Sequence, residues 1–340
     1  MATVTITTHN IKHGLVLGKF YPPHVGHQYL IAFANAYVDE LTVVVEAMPE
    51  EQIPASLRIE WLQSLFGGVK FLLLEEYNPQ DPGETSQFWQ IWQNSLMRLL
   101  PQAPDVVFAS ERYGEPLADC LGAVFVPVDP SRQLNPISAT QIRENPYLNW
   151  QYLPEPVKNY YRKQVCICGP ESTGKSTLSE WLAQEIDSRY PGSDSFVPEY
   201  ARTFLEHHHA ELTTEDLVTI AKGQAASEQI LKSRAGPLQI IDTGVIASKV
   251  WSEFLFNCST STLDVLFQQA QYDLYLLCYP DVPWVKDAMR YLPEQGQAFF
   301  DRIQCLLMSD ERKQVVVIRG NWQQRQEMAL KALLKLVLNH

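Results

Sequence analysis

Gly18-Lys19-Phe20-Tyr21-Pro22-Pro23-His24-Val25-Gly26-His27 follows the apolar run Gly14-Leu15-Val16-Leu17. The order reads as a strand turning into a helix, with a pair of histidines at the helix start. Two imidazoles and the unpaired N–H groups of a helix N-terminus then surround one point, which suits a bound phosphate. Gly26 lets the backbone come close to such a ligand, and Pro22-Pro23 stiffens the approach to the helix. Lys19 adds a cation, with Gly18 and Phe20 in the same turn. Histidines that merely decorate a helix start are the bland alternative. The preceding strand, Lys19 and the intervening glycine count against it.

A second phosphate device lies further along, Gly169-Pro170-Glu171-Ser172-Thr173-Gly174-Lys175-Ser176, followed by Thr177. It fits G-x-x-x-x-G-K-[ST] without mismatch, after the strand pattern Gln164 to Cys168 and before the helix pattern Leu178 to Ser188. In such a loop the backbone N–H groups cradle the phosphates, Lys175 reaches the β- and γ-phosphates, and the Ser176 hydroxyl ligates Mg²⁺. ATP is therefore expected as co-substrate and Mg²⁺ as cofactor. Leu238-Gln239-Ile240-Ile241 is an apolar strand ending in Asp242, which either holds the metal through water, accepts a substrate hydroxyl proton, or only forms a turn. Glu199-Tyr200-Ala201-Arg202 follows another strand, Ser195 to Val197. It reads as a polar clamp for a hydroxyl-bearing sugar (Glu199, Tyr200, Arg202) or as a helix-start ion pair. Trp284 to Arg290 reads as a lid whose Arg290 swings onto the transferring phosphate, or as a surface helix of mixed charge. His207-His208-His209 is a solvated helix end rather than a metal site, because consecutive side chains on a helix diverge.

The chain has 340 residues, 46% of them hydrophobic and 19% charged, enough for two ordinary domains with a core each. A net charge of −12 argues against nucleic acid as the main partner. Six cysteines show no metal-like spacing, and Cys166 and Cys168 are expected on one core-facing side of a strand, as reduced thiols. Met1 to Asn10 is polar, with no apolar signal core, and no apolar run approaches the ~20 residues of a membrane span. A soluble cytoplasmic protein is expected, without a membrane partner and with homo-oligomerisation left open.

Strand and helix patterns alternate throughout. Strands are expected at Leu41–Val45, Val69–Leu74, Asp105–Phe108, Val124–Val126, Leu274–Cys278 and Val315–Ile318. Helices are expected at Ser56–Phe66, Gln87–Leu100, Thr214–Ser233 and Arg325–Leu338. This alternation argues for parallel sheets covered by helices on both faces, an α/β fold. Tyr152-Leu153-Pro154-Glu155-Pro156 interrupts the pattern, since its prolines disfavour a continuous helix. The boundary falls there, giving domains over 1–155 and 156–340.

The first motif resembles the H-x-G-H signature of the nucleotidylyltransferase superfamily. Ile137-Ser138-Ala139-Thr140-Gln141-Ile142-Arg143 resembles that family's second motif, in which the Ser138/Thr140 group caps a helix and Arg143 reaches the β- and γ-phosphates. The resemblance implies ATP at Gly18, Lys19, Phe20, His24, Gly26, His27, Ser138, Thr140 and Arg143. His24 and His27 would donate to the phosphates, while Lys19 and Arg143 neutralise departing pyrophosphate. Arg58 matches a phosphate-contacting position, and also reads as a simply solvated helix residue. Both halves together resemble the bacterial NadR-type bifunctional family, a nicotinamide mononucleotide adenylyltransferase fused to a ribosylnicotinamide kinase. Val128-Asp129-Pro130-Ser131-Arg132 and the Trp89/Trp92 pair are local matches. The tryptophans would stack on nicotinamide, or serve as core of an amphipathic helix.

The fold implied is a doubly wound Rossmann-like nucleotidylyltransferase sheet followed by a P-loop kinase sheet. The small-molecule partners implied are ATP, nicotinamide riboside, nicotinamide mononucleotide and NAD. Gly169, Glu171, Ser172, Thr173, Gly174, Lys175, Ser176, Thr177 and Arg290 would bind the kinase's ATP. Ser176 and Asp242 would hold Mg²⁺. The chain departs from the family in three ways. No DNA-binding helix-turn-helix precedes the first strand, so no repressor function is expected. Asp242-Thr243-Gly244 stands where Asp-Thr-Asp is usual, and Lys286 replaces an acid. The last two departures imply a kinase altered in substrate or in rate. The rivals are a coenzyme A synthase-like fusion and a nucleotide-sensing regulator or transport-coupled module with little turnover.

Overall fold

The computed structural model describes residues 13–283 and 294–338. The lid segment Trp284 to Arg290, with Lys286 and Arg290, and the stretch Met1 to Asn10 lie outside the described residues. The chain forms two compact units, one ending at Tyr160 and the other beginning at Tyr161.

The first unit runs β1 (His13–Gly18), α1 (Val25–Tyr37), β2 (Glu40–Glu46), α2 (Ala55–Leu65), β3 (Lys70–Leu74), α3 (Phe88–Leu99), β4 (Val106–Ala109), α4 (Gly114–Leu121), β5 (Val124–Pro127) and α5 (Ala139–Glu144), then α6 (Glu155–Tyr161) at the junction. Its five strands are parallel in the order β3-β2-β1-β4-β5. β1 and β2 are nearly continuous apolar runs because both faces of the sheet are covered. Val16, Val43, Val45 and Phe108 face one side, while Leu15, Leu17, Val44 and Val107 face the other. The order reverses between β1 and β4, and ligands bind beyond the strand ends at such a switch. The histidine motif sits there.

The second unit runs β6 (Lys163–Cys168), α7 (Lys175–Arg189), β7 (Phe196–Val197), α8 (Tyr200–His207), α9 (Thr214–Leu231), β8 (Leu238–Asp242), α10 (Ile246–Phe256), α11 (Ser261–Gln269), β9 (Leu274–Cys278), α12 (Gly296–Met308), β10 (Val315–Ile318) and α13 (Trp322–Leu338). Its parallel order is β10-β9-β6-β8-β7, with β6 central. Alternation along β6 sends Val165 and Ile167 to one core and Cys166 and Cys168 to the other. Both thiols are free and buried, as their spacing implied.

The α/β class and two sheets match the expectation, with local differences. The prolines after Tyr152 do not keep the chain open: a 3-10 turn (Trp150–Tyr152) leads into α6, whose first turn holds Pro156, where a missing N–H costs nothing. Helices α4, α10, α11 and α12 lie outside the expected spans, and α10 buries even its polar Ser248, Lys249 and Ser252.

Candidate active sites

In the first unit a cavity of about 730 Å³ opens over the ends of β1 and β4. Gly18, Lys19, Phe20, His24, Gly26, His27, Trp89, Trp92, Ser138, Thr140 and Arg143 line it. His24 is the N-cap of α1, and its Nδ1 accepts the Gly26 N–H at 3.1 Å. The neutral ring therefore carries its proton on Nε2, leaving that nitrogen as donor. Burial, helped by the nearby Arg132 charge, pushes its pKa down to about 4. The His27 ring lies 3.7 Å from that of His24, and its Nδ1 is sealed without a partner among the described residues. Burial, then His24 and Arg132, hold His27 well below the usual imidazole range. Phe20, in the left-handed region at φ 49°, sets its ring edge against His27 at 5.0 Å. At neutral pH the pair are uncharged hydrogen-bond donors. Gly26 serves His24 as much as any ligand, since a Cβ there would come 3.0 Å from the imidazole.

Arg143 donates to Tyr21 O and to Thr140 Oγ1 (3.1 Å), with its guanidinium 4.6 Å over the Tyr21 ring. Ser138 and Gln141 form a reciprocal capping box, which fixes the start of α5. The solvated reading of Arg58 fails: its side chain is fully buried and does not line the cavity. It donates to Lys19 O and Glu46 O and pairs with Glu51, bracing the turn that carries Lys19. Trp92 is buried and donates Nε1–H to Pro79 O at 2.9 Å, with the more open Trp89 beside it. Core packing and a cavity wall are thus one and the same here.

Sequence reading missed Arg132 as a site residue. It lines the cavity at φ 52°, pairs with Glu111 at 3.0 Å and faces both histidines. Asp129 shapes that turn, its carboxylate accepting the N–H of Gln133 (2.9 Å), Leu134 (3.2 Å) and Asn135 (3.3 Å). The signal was available: a short Asp-x-x-Arg turn directly after a strand.

In the second unit a cavity of about 280 Å³ adjoins the loop before α7. Gly169, Glu171, Ser172, Thr173, Gly174, Lys175, Ser176 and Thr177 form its floor, and Glu199 and Arg202 stand in its wall. Thr173 Oγ1 donates to Pro170 O at 2.8 Å, and Lys175 Nζ lies 3.4 Å from the same carbonyl. Gly169 has φ 147° and a Cβ there would strike Cys278 O at 2.7 Å, so no other residue fits. Asp242 lies buried beneath the loop, bonded to Ser176 and Thr243. Burial and Glu199 push its carboxyl up to about 6 against the pull of Lys175 and Ser176. Among the described residues no cluster of three His, Cys, Asp or Glu side chains able to hold a metal ion occurs.

Tyr200 does not line this cavity. Its ring occupies the space over Gly223, where a Cβ would lie 2.1 Å away, and its N–H donates to Gln224 Oε1 at 2.9 Å. Gly244, where the family resemblance expects an acid, packs against Tyr272 Oη and Cys166 Sγ, which a Cβ would meet at 2.7 and 2.8 Å. No side chain fits there. The Tyr272 hydroxyl instead contacts Glu228, a buried acid pushed up to about 7 by desolvation that sequence reading did not single out. His207 and His209 are exposed at the end of α8, as expected, while half-buried His208 stacks on Phe204 at 5.1 Å and approaches Asp216 at 3.7 Å.

Residues 164–325 match a family model described as an AAA domain. The trifunctional NAD biosynthesis/regulator protein NadR of Escherichia coli K12 is 30% identical over 299 residues, 82% of this chain and 72% of that protein. NadR of Salmonella typhimurium LT2 is similar to the same extent. A crystal structure of NadR in complex with NR shares the fold at TM-score 0.71, and one in complex with NAD and AMP-PNP at 0.69; each is 22% identical, with 96% of both chains covered. No helix among the described residues is long and apolar enough to cross a membrane. Thirty per cent identity over 82% of the chain, on the same fold, makes this chain a member of the NadR family.

Proposed function

We propose that the second unit phosphorylates nicotinamide riboside with Mg·ATP, and that the first unit adenylates the resulting mononucleotide with a second ATP to give NAD and pyrophosphate. The observation that carries this reading is the pairing of two chemistries in one chain: stacked neutral imidazoles at the start of α1, and a Walker lysine above a buried strand-end acid. Neither site needs a covalent intermediate. In the first, a phosphate oxygen of the mononucleotide attacks the α-phosphorus in line. His24 and His27 donate to the phosphates, and Lys19 and Arg143 offset the charge of the leaving pyrophosphate. Neutral donors suit this role, because they hold the phosphates without needing to be protonated first. In the second, Lys175 and the loop N–H groups hold the β- and γ-phosphates. Ser176, and Asp242 through water, would hold Mg²⁺, which would supply positive charge beside the phosphates. Glu199 and Arg202, both in the cavity wall, would clamp the riboside hydroxyls. Trp89 and Trp92 offer a stacking wall for the nicotinamide ring of the mononucleotide.

The adenylyltransferase is read over 1–155 and the kinase over 156–340, a few residues before the point where the two units part, between Tyr160 and Tyr161. A net charge of −12 supports small-molecule rather than nucleic-acid partners, and the reliance of both reactions on ATP supports a cytoplasmic location. Incubating the purified chain with nicotinamide riboside, ATP and Mg²⁺ and following products by mass tests the proposal. Mononucleotide appears first and NAD second. Products formed only from phosphopantetheine and dephospho-coenzyme A, or binding without ADP or pyrophosphate release, would overturn it.

A further inference from the structure

Trp322 is 40% exposed although it lies against the phosphate loop: a Cβ on Gly174 would be 3.9 Å from its Cζ3. A large aromatic left open beside a triphosphate cradle is an expensive feature unless something covers its face. Its position is firmly held. Three residues on, buried Arg325 donates Nη1–H to Thr173 O (3.1 Å) and Nη2–H to Tyr279 O (2.9 Å) and pairs with Asp281, binding α13 to the loop. Gln326, with its amide oxygen turned towards the indoles, accepts from Trp322 Nε1 (3.0 Å) and Trp181 Nε1 (3.1 Å). The indole is thus pinned at its polar edge while the residue stays 40% exposed.

Topology says which end of a nucleotide would reach it. In the order β10-β9-β6-β8-β7 the loop springs from central β6. The 280 Å³ cavity lies on the β8/β7 side, walled by α8, α9 and α10 through Arg202, Ile220 and Trp251. Trp322 begins α13 directly after β10, on the opposite side. A triphosphate whose γ end faces the cavity therefore leaves its base on the β10 side.

We infer that Trp322 is the stacking platform for the nucleobase of the triphosphate donor in the second unit, recognising a planar aromatic base rather than the phosphates. The inference rests on the kinase reading proposed above. Base–aromatic stacking of this kind is worth about 5- to 140-fold in affinity.

The test uses the whole chain. Trp322→Ala raises the KM for ATP in riboside phosphorylation by about tenfold or more, leaves kcat within about twofold, and leaves the KM for ATP in adenylyl transfer unchanged. Trp322→Phe recovers most of the loss. Inorganic tripolyphosphate, which has no base, inhibits wild type and Trp322→Ala equally. A KM for ATP within about twofold of wild type overturns the inference, as does tripolyphosphate inhibition that weakens in step with ATP, the mark of a displaced loop. Calorimetric titration with a non-hydrolysable ATP analogue separates the two claims. A wild-type chain that binds the analogue but phosphorylates no riboside sinks the kinase reading alone. The platform then stands if Trp322→Ala weakens one class of analogue site, and falls if it does not.

Discussion

Replacing Asp242 by Asn is expected to stabilise the second unit while disabling it. Asp242 is buried at the end of β8, and its carboxyl is pushed from 3.8 up to about 6 by burial and by Glu199. Each tenfold change in proton affinity corresponds to about 1.4 kcal/mol, so the ionised acid costs the folded state up to about 3 kcal/mol at neutral pH. The sign follows from the direction. Below the unfolded pKa both states hold the proton and no penalty exists. As pH rises through the folded value the native state must give the proton up, and stability is lost. An amide keeps the shape and the Ser176 and Thr243 contacts without the charge. In a unit of this size 1 kcal/mol moves the melting midpoint by about 2–4 °C, so Asp242→Asn should gain roughly 6–10 °C at pH 8. The gain should fall to about half at pH 5. Differential scanning calorimetry without nucleotide or Mg²⁺ reads this directly, and riboside phosphorylation should fall by at least about 10²-fold in the same variant. A variant that melts at or below wild type at pH 8, or gains equally at pH 5 and pH 8, would refute the reasoning.

Adenylyl transfer should be insensitive to imidazole ionisation between about pH 5.5 and 8, because burial already keeps His24 and His27 neutral; a rate that falls on a midpoint near the ordinary histidine pKa would show that a charged ring takes part. Arg58→Ala should destabilise the first unit by about 3–5 kcal/mol in urea unfolding, since it strands Glu51 and two carbonyls beneath the Lys19 turn. Its adenylyl transfer should fall with riboside phosphorylation intact, and a loss below about 1 kcal/mol would remove Arg58 from that bracing role.

Both phosphate devices could be read from the chain because each is local. His24, Gly26 and His27, like Gly169 to Ser176, are contiguous residues whose spacing alone sets a helix N-terminus over a strand end. The strands were legible for a related reason: sheets covered on both faces select unbroken β-branched runs such as Val43-Val44-Val45. What escaped depends on residues distant in sequence. Nothing beside Arg58 announces that Lys19 O and Glu46 O turn inward to meet it, so a helix arginine looked solvated. Tyr200 resembles a binding residue until Gly223 opens a slot for its ring. Glu228 looks like any helix glutamate, and only the fold brings Tyr272 onto it. Gly244 shows both limits: its departure from the family pattern was visible, but the Tyr272 and Cys166 contacts that leave no room for a side chain were not.

The central claim is that the two units run separate reactions, each on its own phosphate grip. The most direct measurement is pyrophosphate release and riboside-dependent ADP formation, side by side, in His27→Ala and Lys175→Ala. The account predicts that His27→Ala loses about 10²–10³-fold in pyrophosphate release with ADP formation near wild type, and that Lys175→Ala does the reverse. Either single change silencing both outputs in a chain that still melts cooperatively would contradict it.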